Sequence, residues 1–118
     1  MTKQFKDKFD FETRVKEAEK IKTKYPDRFP IIVSKNKRCE LEDIEKSKFL
    51  VPGDLTLGQF LIVVRKRIKL SDKETLFLFI NDAILVTGSE TISNIYDQHK
   101  DKDGFLYVSY CNENVFGH

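Results

Sequence analysis

Three prolines divide this chain where its hydrophobic rhythm changes, and that change limits what it can fold into. Before Pro26, apolar residues recur three or four apart: Phe11, Val15, Ala18, Ile21 and Tyr25 make one stripe behind Asp10. That spacing is the mark of an amphipathic helix, and an aspartate at its start caps it by accepting from the first free amides. Proline has no N–H to continue the ladder and its ring clashes with the preceding turn, so the helix must end at Pro26. A shorter helical piece, Thr2 to Lys8, precedes it, with Phe5 and Phe9 facing inward.

After Pro30 the runs are short, β-branched and aromatic. Ile31-Ile32-Val33 reads as a strand, and the polar stretch Ser34 to Glu40 as its exit. Lys48-Phe49-Leu50-Val51 reads as a second strand closed by Pro52-Gly53, able to pair with the first across a long loop from Asn36 to Glu45. Thr56 opens a helix to about Lys69. Leu76 to Ile80 is a strongly apolar strand, Asn81-Asp82 turns it, and Ile84-Leu85-Val86 is a short partner. Thr91 to His99 is a short helix with Ile92, Ile95, Tyr96 and His99 on one face. Asp101 to Gly104 is a turn, and Phe105 to Tyr110 is the last strand. Strand, strand, helix, strand, short strand, short helix, strand is the order of the ubiquitin-like β-grasp fold, an α+β architecture carrying two additional N-terminal helices. The final strand then lies beside the first, deep in the sheet. One domain, 1–118, divides into a helical extension (1–26), a β-grasp body (27–110) and a C-terminal tail (111–118).

Length and composition agree with one core. A chain of 118 residues buries about 60 to 70% of its unfolded surface, and ten Phe and four Tyr supply a core without staples. Cys39 and Cys111 form no CxxC pair and have no histidine at ligand spacing, so neither zinc nor a disulfide framework is expected, and a reducing intracellular compartment is the default. No apolar run reaches the roughly 18 residues of a spanning helix, and no signal-peptide core follows the charged start. The net charge of +2 is too small for nucleic-acid binding. Residues 1–28 hold nine Lys or Arg against six Asp or Glu, a basic arm of +3, while the rest of the chain sums to −1. Such an arm is either a solvated helical face or a surface for an acidic partner or lipid.

The central helix has more hydrophobic surface than one face can bury. Leu57, Leu61, Val64 and Ile68 share a narrow arc flanked by Phe60, while Ile62 and Val63 point elsewhere. Either a neighbouring loop covers them or they form a small apolar groove with the second strand. A second groove, between the first long helix and the sheet, would be lined by Ile21, Pro30, Ile32 and Leu50, with Glu17, Arg28 and Lys48 at its lip. Grooves beside a strand edge take extended peptides by β-augmentation. The helix before Pro26 is expected to wall this groove while adding little to the stability of the body. At the other end, Phe116-Gly117-His118 is either a frayed terminus or a conjugation tail, since a glycine without Cβ can be threaded into a narrow enzyme channel.

Six segments carry a more specific signal: Asp27-Arg28-Phe29-Pro30, Lys48-Phe49-Leu50-Val51-Pro52, Asp54 to Phe60, Arg65-Lys66-Arg67, His99 to Tyr107 and Glu113-Asn114-Val115-Phe116-Gly117. Together they resemble the autophagy ubiquitin-like modifiers, the GABARAP and light-chain family, over essentially the whole chain. The resemblance implies a substrate and adapter, not an enzyme. An autophagy cysteine protease would cut between Gly117 and His118. Activating and conjugating enzymes would then pass the Gly117 carboxylate through thioesters to phosphatidylethanolamine. The protein would be cytoplasmic, and lipid-anchored on autophagosome and vacuole or lysosome membranes.

The resemblance also implies a docking site for short aromatic-x-x-aliphatic motifs of cargo receptors and machinery. Its aromatic pocket falls on Glu17, Ile21, Arg28, Pro30, Ile32, Lys48, Leu50 and Phe105. Its aliphatic pocket falls on Phe49, Val51, Pro52, Leu55, Phe60, Val63 and Arg67. Phe77 and Phe79 match positions used in recognition by the processing and lipidation enzymes, although an apolar strand is mainly core. Departures from the pattern are Phe49 in place of the usual Tyr, Ala83 to Thr87 without the usual two prolines, and Cys111-Asn112 in place of Ser-Gly. No cofactor or metal is implied. The alternative reading is an unconjugated interaction module that binds peptides or tubulin-like acidic surfaces. An enzyme using Cys39 or Cys111 with His99 lacks a supporting spacing.

Overall fold

A computed structural model describes residues 4–44 and 47–113. Its elements run α1 (Phe5–Lys8), α2 (Phe11–Lys24), β1 (Arg28–Lys35), β2 (Lys48–Pro52), α3 (Leu57–Ile68), β3 (Phe77–Ile80), β4 (Ile84–Leu85), α4 (Ile92–His99) and β5 (Leu106–Cys111). The strands form one mixed sheet in the order β2-β1-β5-β3-β4. β5 pairs parallel to β1 and antiparallel to β3, so the last strand is central and flanked on both sides.

Side-chain caps mark the starts of α2, α3 and α4. Asp10 accepts from the Thr13 amide ahead of α2, and Thr91 accepts from Asn94 ahead of α4. Thr56 and Gln59 form a reciprocal capping box ahead of α3, satisfying two donors that the helix cannot satisfy itself. Asn81 and Asp82 both carry positive φ between β3 and β4, a backbone that Asn and Asp tolerate better than other side chains.

The sheet is covered on both faces. On the first, α3 and α4 bury Leu57, Phe60, Val64, Ile92 and Ile95 against Ile31, Val33, Phe49, Val51, Leu106 and Val108. On the second, α2 brings Ala18 and Ile21 onto Ile32 and Phe105, while the β1–β2 connection lays Cys39 over Phe79 and Cys111. Alternation along β5 accounts for the division: Val108 and Tyr110 face α3, while Tyr107, Ser109 and Cys111 face the other way.

Five local features differ from the sequence expectations. β1 runs through Ser34 and Lys35, because β5 beside it supplies partners as far as Tyr110. The last strand starts at Leu106 and ends at Cys111, one residue later than the apolar run suggests. Phe60 is the centre of the α3 contact at 1% exposure, with Leu61 and Ile68 only half-buried, because its ring meets the Phe49 ring edge-on at 5.6 Å. Phe9 remains exposed; only Phe5 turns inward, onto Phe105 at 5.1 Å.

The fifth difference is the role of α2. Arg14 Nε reaches Asp103 Oδ2 at 2.9 Å, and the Asp103 side chain has no exposed surface. With Ala18 and Ile21 buried as well, α2 is packed onto the sheet more closely than a basic arm requires. Gly104 allows the close approach: its φ is +93°, and a Cβ there would lie 2.9 Å from the Ala18 methyl carbon.

Candidate functional site

Among the described residues β2 is an edge strand, paired only with β1. Val33 N–H donates to the Ser47 carbonyl, and Pro30, which stands opposite Leu50, has no N–H to give. Antiparallel pairs alternate between bonded and non-bonded positions. Lys48 and Leu50 therefore turn their backbone N–H and C=O groups outward, to the open edge. The Arg28 guanidinium already donates to the Leu50 carbonyl at 3.2 Å.

The side chains of this edge strand part to opposite faces. Phe49 and Val51 are buried toward α3, whereas Lys48 and Leu50 stay half-buried on the α2 side. Toward α2, Leu50 joins Ile21, Ile32 and Phe105 in one apolar cluster with Phe5 and Tyr107 at its margin. Lys48 Nζ bonds Glu17 Oε1 at 2.6 Å across the mouth, each side chain a little over a third exposed. Pro30 is buried and Arg28 exposed beside them. Ile21, Ile32, Leu50 and Phe105 thus share one cluster, with the Lys48–Glu17 pair and the Arg28–Leu50 bond beside it. A groove of about 360 Å³ between Phe5, Lys8 and the β1–β2 edge shares Ile32 and Lys48 with them.

Toward α3, Phe49, Val51 and Phe60 form the floor, with Leu55 packed against them. Pro52 is half-buried at the strand end, and Arg67 holds its guanidinium 5.6 Å from the centre of the Phe49 ring, a cation–π distance. Val63 and Ile62 remain open to solvent at 38% and 54% exposure. No loop among the described residues covers them.

Eight expected site residues are buried, Ile21, Pro30, Ile32, Phe49, Val51, Phe60, Phe79 and Phe105, three of them almost completely. Phe60, Phe79 and Phe105 are at 1% exposure or less. Phe60 and Phe105 sit beneath their grooves. Phe79 lies under the chain's own Cys39 and Leu41, while Phe77 next to it is half-buried. Gly117 and His118 lie outside the described residues.

Asp103 centres a polar network that the hydrophobic pattern of the sequence does not signal. Its carboxylate accepts from Arg14, from the Phe105 amide at 2.8 Å and from the Tyr107 hydroxyl. Burial and the neighbouring Asp103 carboxylate push the Tyr107 phenol well above its ordinary range. Asp101 and Asp103 both hold backbone amides two residues on, the Asx-turn pattern. That pattern was the available signal in Asp101-Lys102-Asp103-Gly104. The network fixes Phe105 and, through Arg14, the α2 wall of the groove.

No group of His, Cys, Asp or Glu among the described residues is arranged to hold a metal ion. Burial, then the adjacent Cys39 thiol, pushes Cys111 up to about 11, away from the thiolate a nucleophile needs. No helix among the described residues is long and apolar enough to cross a membrane.

A mixed β-grasp sheet, a helix packed across it and two N-terminal helices on the opposite face define a ubiquitin-like domain with a helical extension. Comparison with known proteins takes the assignment further. The sequence model described as "Autophagy protein Atg8 ubiquitin like" matches residues 13–117. The chain is 51% identical over 117 residues to autophagy-related protein 8 of Schizosaccharomyces pombe, covering 99% of this chain and 96% of the relative. It is 50% identical to that of Mycosarcoma maydis, covering 99% and 98%. The crystal structure of Trypanosoma brucei ATG8 superposes with a TM-score of 0.89 at 40% identity, covering 99% of this chain and all of that one. The chain belongs to the Atg8 family of autophagy ubiquitin-like proteins, which are modifiers without enzymatic activity.

Proposed function

We propose that this chain is processed after Gly117, conjugated through the Gly117 carboxylate to phosphatidylethanolamine, and used on autophagosomal membranes as an adapter for aromatic-x-x-aliphatic peptides. The observation that carries the adapter role is the β2 edge, with outward backbone groups at Lys48 and Leu50, an apolar cluster on each face, and Val63 and Ile62 exposed beside the α3 one. A strand added there alternates its side chains between the two faces. Residues three apart point to opposite faces, so an aromatic side chain in the Ile21–Leu50 groove directs the aliphatic one toward Phe49 and Val63. The aromatic pocket uses Glu17, Ile21, Arg28, Pro30, Ile32, Lys48, Leu50 and Phe105, and the aliphatic pocket Phe49, Val51, Pro52, Leu55, Phe60, Val63 and Arg67.

Conjugation rests on family membership, the family match running through to Gly117. One acyl chain binds membranes only marginally, about 10⁴ M⁻¹, whereas a two-chain lipid anchors stably. The partners are an autophagy cysteine protease, activating-type and conjugating-type enzymes, cargo receptors and a phosphatidylethanolamine membrane, with tubulin as a further acidic partner for the basic arm. Phe77, over the buried Phe79, serves recognition by the processing enzymes. The location follows: cytoplasm, then autophagosome and vacuole or lysosome surfaces. Intact mass of the membrane-bound form tests this directly. A species ending at Gly117 and carrying phosphatidylethanolamine is expected, and Gly117→Ala should abolish it with the fold intact. Membrane recruitment of an unmodified chain would instead establish an unconjugated interaction module.

A further inference from the structure

Cys39 and Cys111 are 72 positions apart in sequence yet share one buried cluster with Phe79, at 5% and 2% exposure. Both thiols address the same acceptor, Asn112 Oδ1, from 3.7 Å for Cys111 and 4.0 Å for Cys39. Two contacts with Tyr110 tie the loop that carries Cys39 to β5 beside Cys111: the Asn36 amide donates to the Tyr110 carbonyl at 2.9 Å, and the Tyr110 hydroxyl, on the other face of the sheet, donates to the Glu42 carbonyl. Asn36 Nδ2 adds a bond to Ser109 Oγ at 3.2 Å. The β1–β2 connection is thus strapped over the end of β5, where the tail begins, with a thiol on each side.

We infer that Cys39 and Cys111 form a redox-sensitive clasp, an intramolecular disulfide that ties the β1–β2 connection to the root of the C-terminal tail. The oxidant is a peroxide. Cys39, carried by a loop rather than by the strand ladder, loses its proton, and its sulfur attacks a peroxide oxygen. The O–O bond breaks, the leaving hydroxide takes up the proton that Cys39 released and becomes water, and a sulfenic acid remains. The Cys111 sulfur then attacks that sulfur, the S–O bond breaks, and the hydroxide takes the Cys111 proton as water. One hydrogen peroxide and two thiols become one disulfide and two waters. Because both sulfurs are buried and the Cys111 thiol holds its proton, the reaction is slow and needs opening of the strap. The clasp therefore responds to sustained oxidation rather than to brief exposure.

A disulfide at Cys111 restrains Asn112 and Glu113, the first residues an enzyme must draw out to reach Gly117. This consequence rests on the processing reading above; the disulfide itself does not. The test treats the full reduced chain with hydrogen peroxide, removes the oxidant, and maps non-reduced peptides by mass. Expected are a monomer short of two hydrogens and a linked peptide pair containing Cys39 and Cys111. Peroxide-treated chain that keeps both thiols free, or links only between molecules, overturns the inference, and neither result needs a variant. Oxidised and reduced chains are then compared for cleavage after Gly117 by pre-reduced, desalted autophagy cysteine protease. At least fivefold slower cleavage of the oxidised form, restored by reduction and absent in Cys39→Ser, is expected. Equal rates overturn the clasp. If neither form is cut after Gly117, the processing reading fails, and the peptide map alone decides the disulfide.

Discussion

Arg14 Nε donates to Asp103 Oδ2 at 2.9 Å across 89 residues of sequence, and the two side chains are 11% and 0% exposed. Removing one member of a buried ion pair leaves the other charge without its partner, typically costing about 3–5 kcal/mol. Arg14→Ala should destabilise the domain on that scale, less whatever water entering beside the shortened side chain restores. Urea unfolding of Arg14→Ala, Asp103→Asn and the double variant should show strong non-additivity. Additive losses would mean that the two groups act independently.

The same contact changes what truncation should do. Starting the chain at Asp27 removes Arg14, Ala18 and Ile21 and uncovers Ile32, Phe105 and Tyr107. Fully burying one large aliphatic or aromatic side chain is worth about 1.5–3 kcal/mol. A chain of this size is stable by only about 5–15 kcal/mol. The truncated chain should therefore melt much lower than the full one or lose cooperative melting, and dye binding should report its exposed sheet face. Unchanged thermal unfolding would show that α2 is an accessory after all.

The contrast shows where the sequence is readable. Helix stripes, caps and apolar strands are local patterns, so α2, β2, α3 and α4 are visible in spacing and capping residues alone. The pairing of β5 with β1 follows from element order. The exposure of Ile62 and Val63 is legible because α3 carries more apolar positions than one face can bury. What stays hidden is long-range and polar. Nothing local in Asp101-Lys102-Asp103-Gly104 says that an arginine 89 residues earlier will meet Asp103. The extension of β1 through Lys35 likewise depends on a partner at the far end of the chain. The burial of Phe60 depends on the ring of Phe49 across the core.

Acid should loosen α1 before it unfolds the sheet. Burial pulls Asp101 upward, but its bonds to Lys6 and to the Asp103 amide outweigh this and hold its carboxyl below the usual range. A carboxylate depressed in the folded state stabilises fully above its unfolded pKa, about 3.9, and loses that contribution as pH falls through the folded value. Amide exchange at Phe5–Lys8 should accelerate as pH drops below about 4, after correction for intrinsic rates. Lys6→Ala should show the fast exchange already at neutral pH. If α1 exchanges identically in both chains at every pH, the Lys6–Asp101 pair does not hold it.

The docking edge can be tested at a single backbone atom. The Leu50 amide points away from β1, since Pro30 opposite has no N–H and the ladder alternates. Proline on an edge strand is tolerated where its missing N–H faces solvent. Leu50→Pro should therefore keep the sheet, whereas Phe49→Pro should break it, because Phe49 bonds inward to Ile31. Leu50→Ala removes the same groove contact as Leu50→Pro but retains the amide. If a peptide docks as an added strand, titration calorimetry should show weaker binding for Leu50→Pro than for Leu50→Ala. The difference should be about 0.5–1.5 kcal/mol, the net worth of one backbone hydrogen bond, or roughly two- to twelvefold in Kd. Equal affinities for the two variants, with both folded, would place the peptide in the grooves without β-augmentation. The pockets alone, not the backbone of β2, would then set its register.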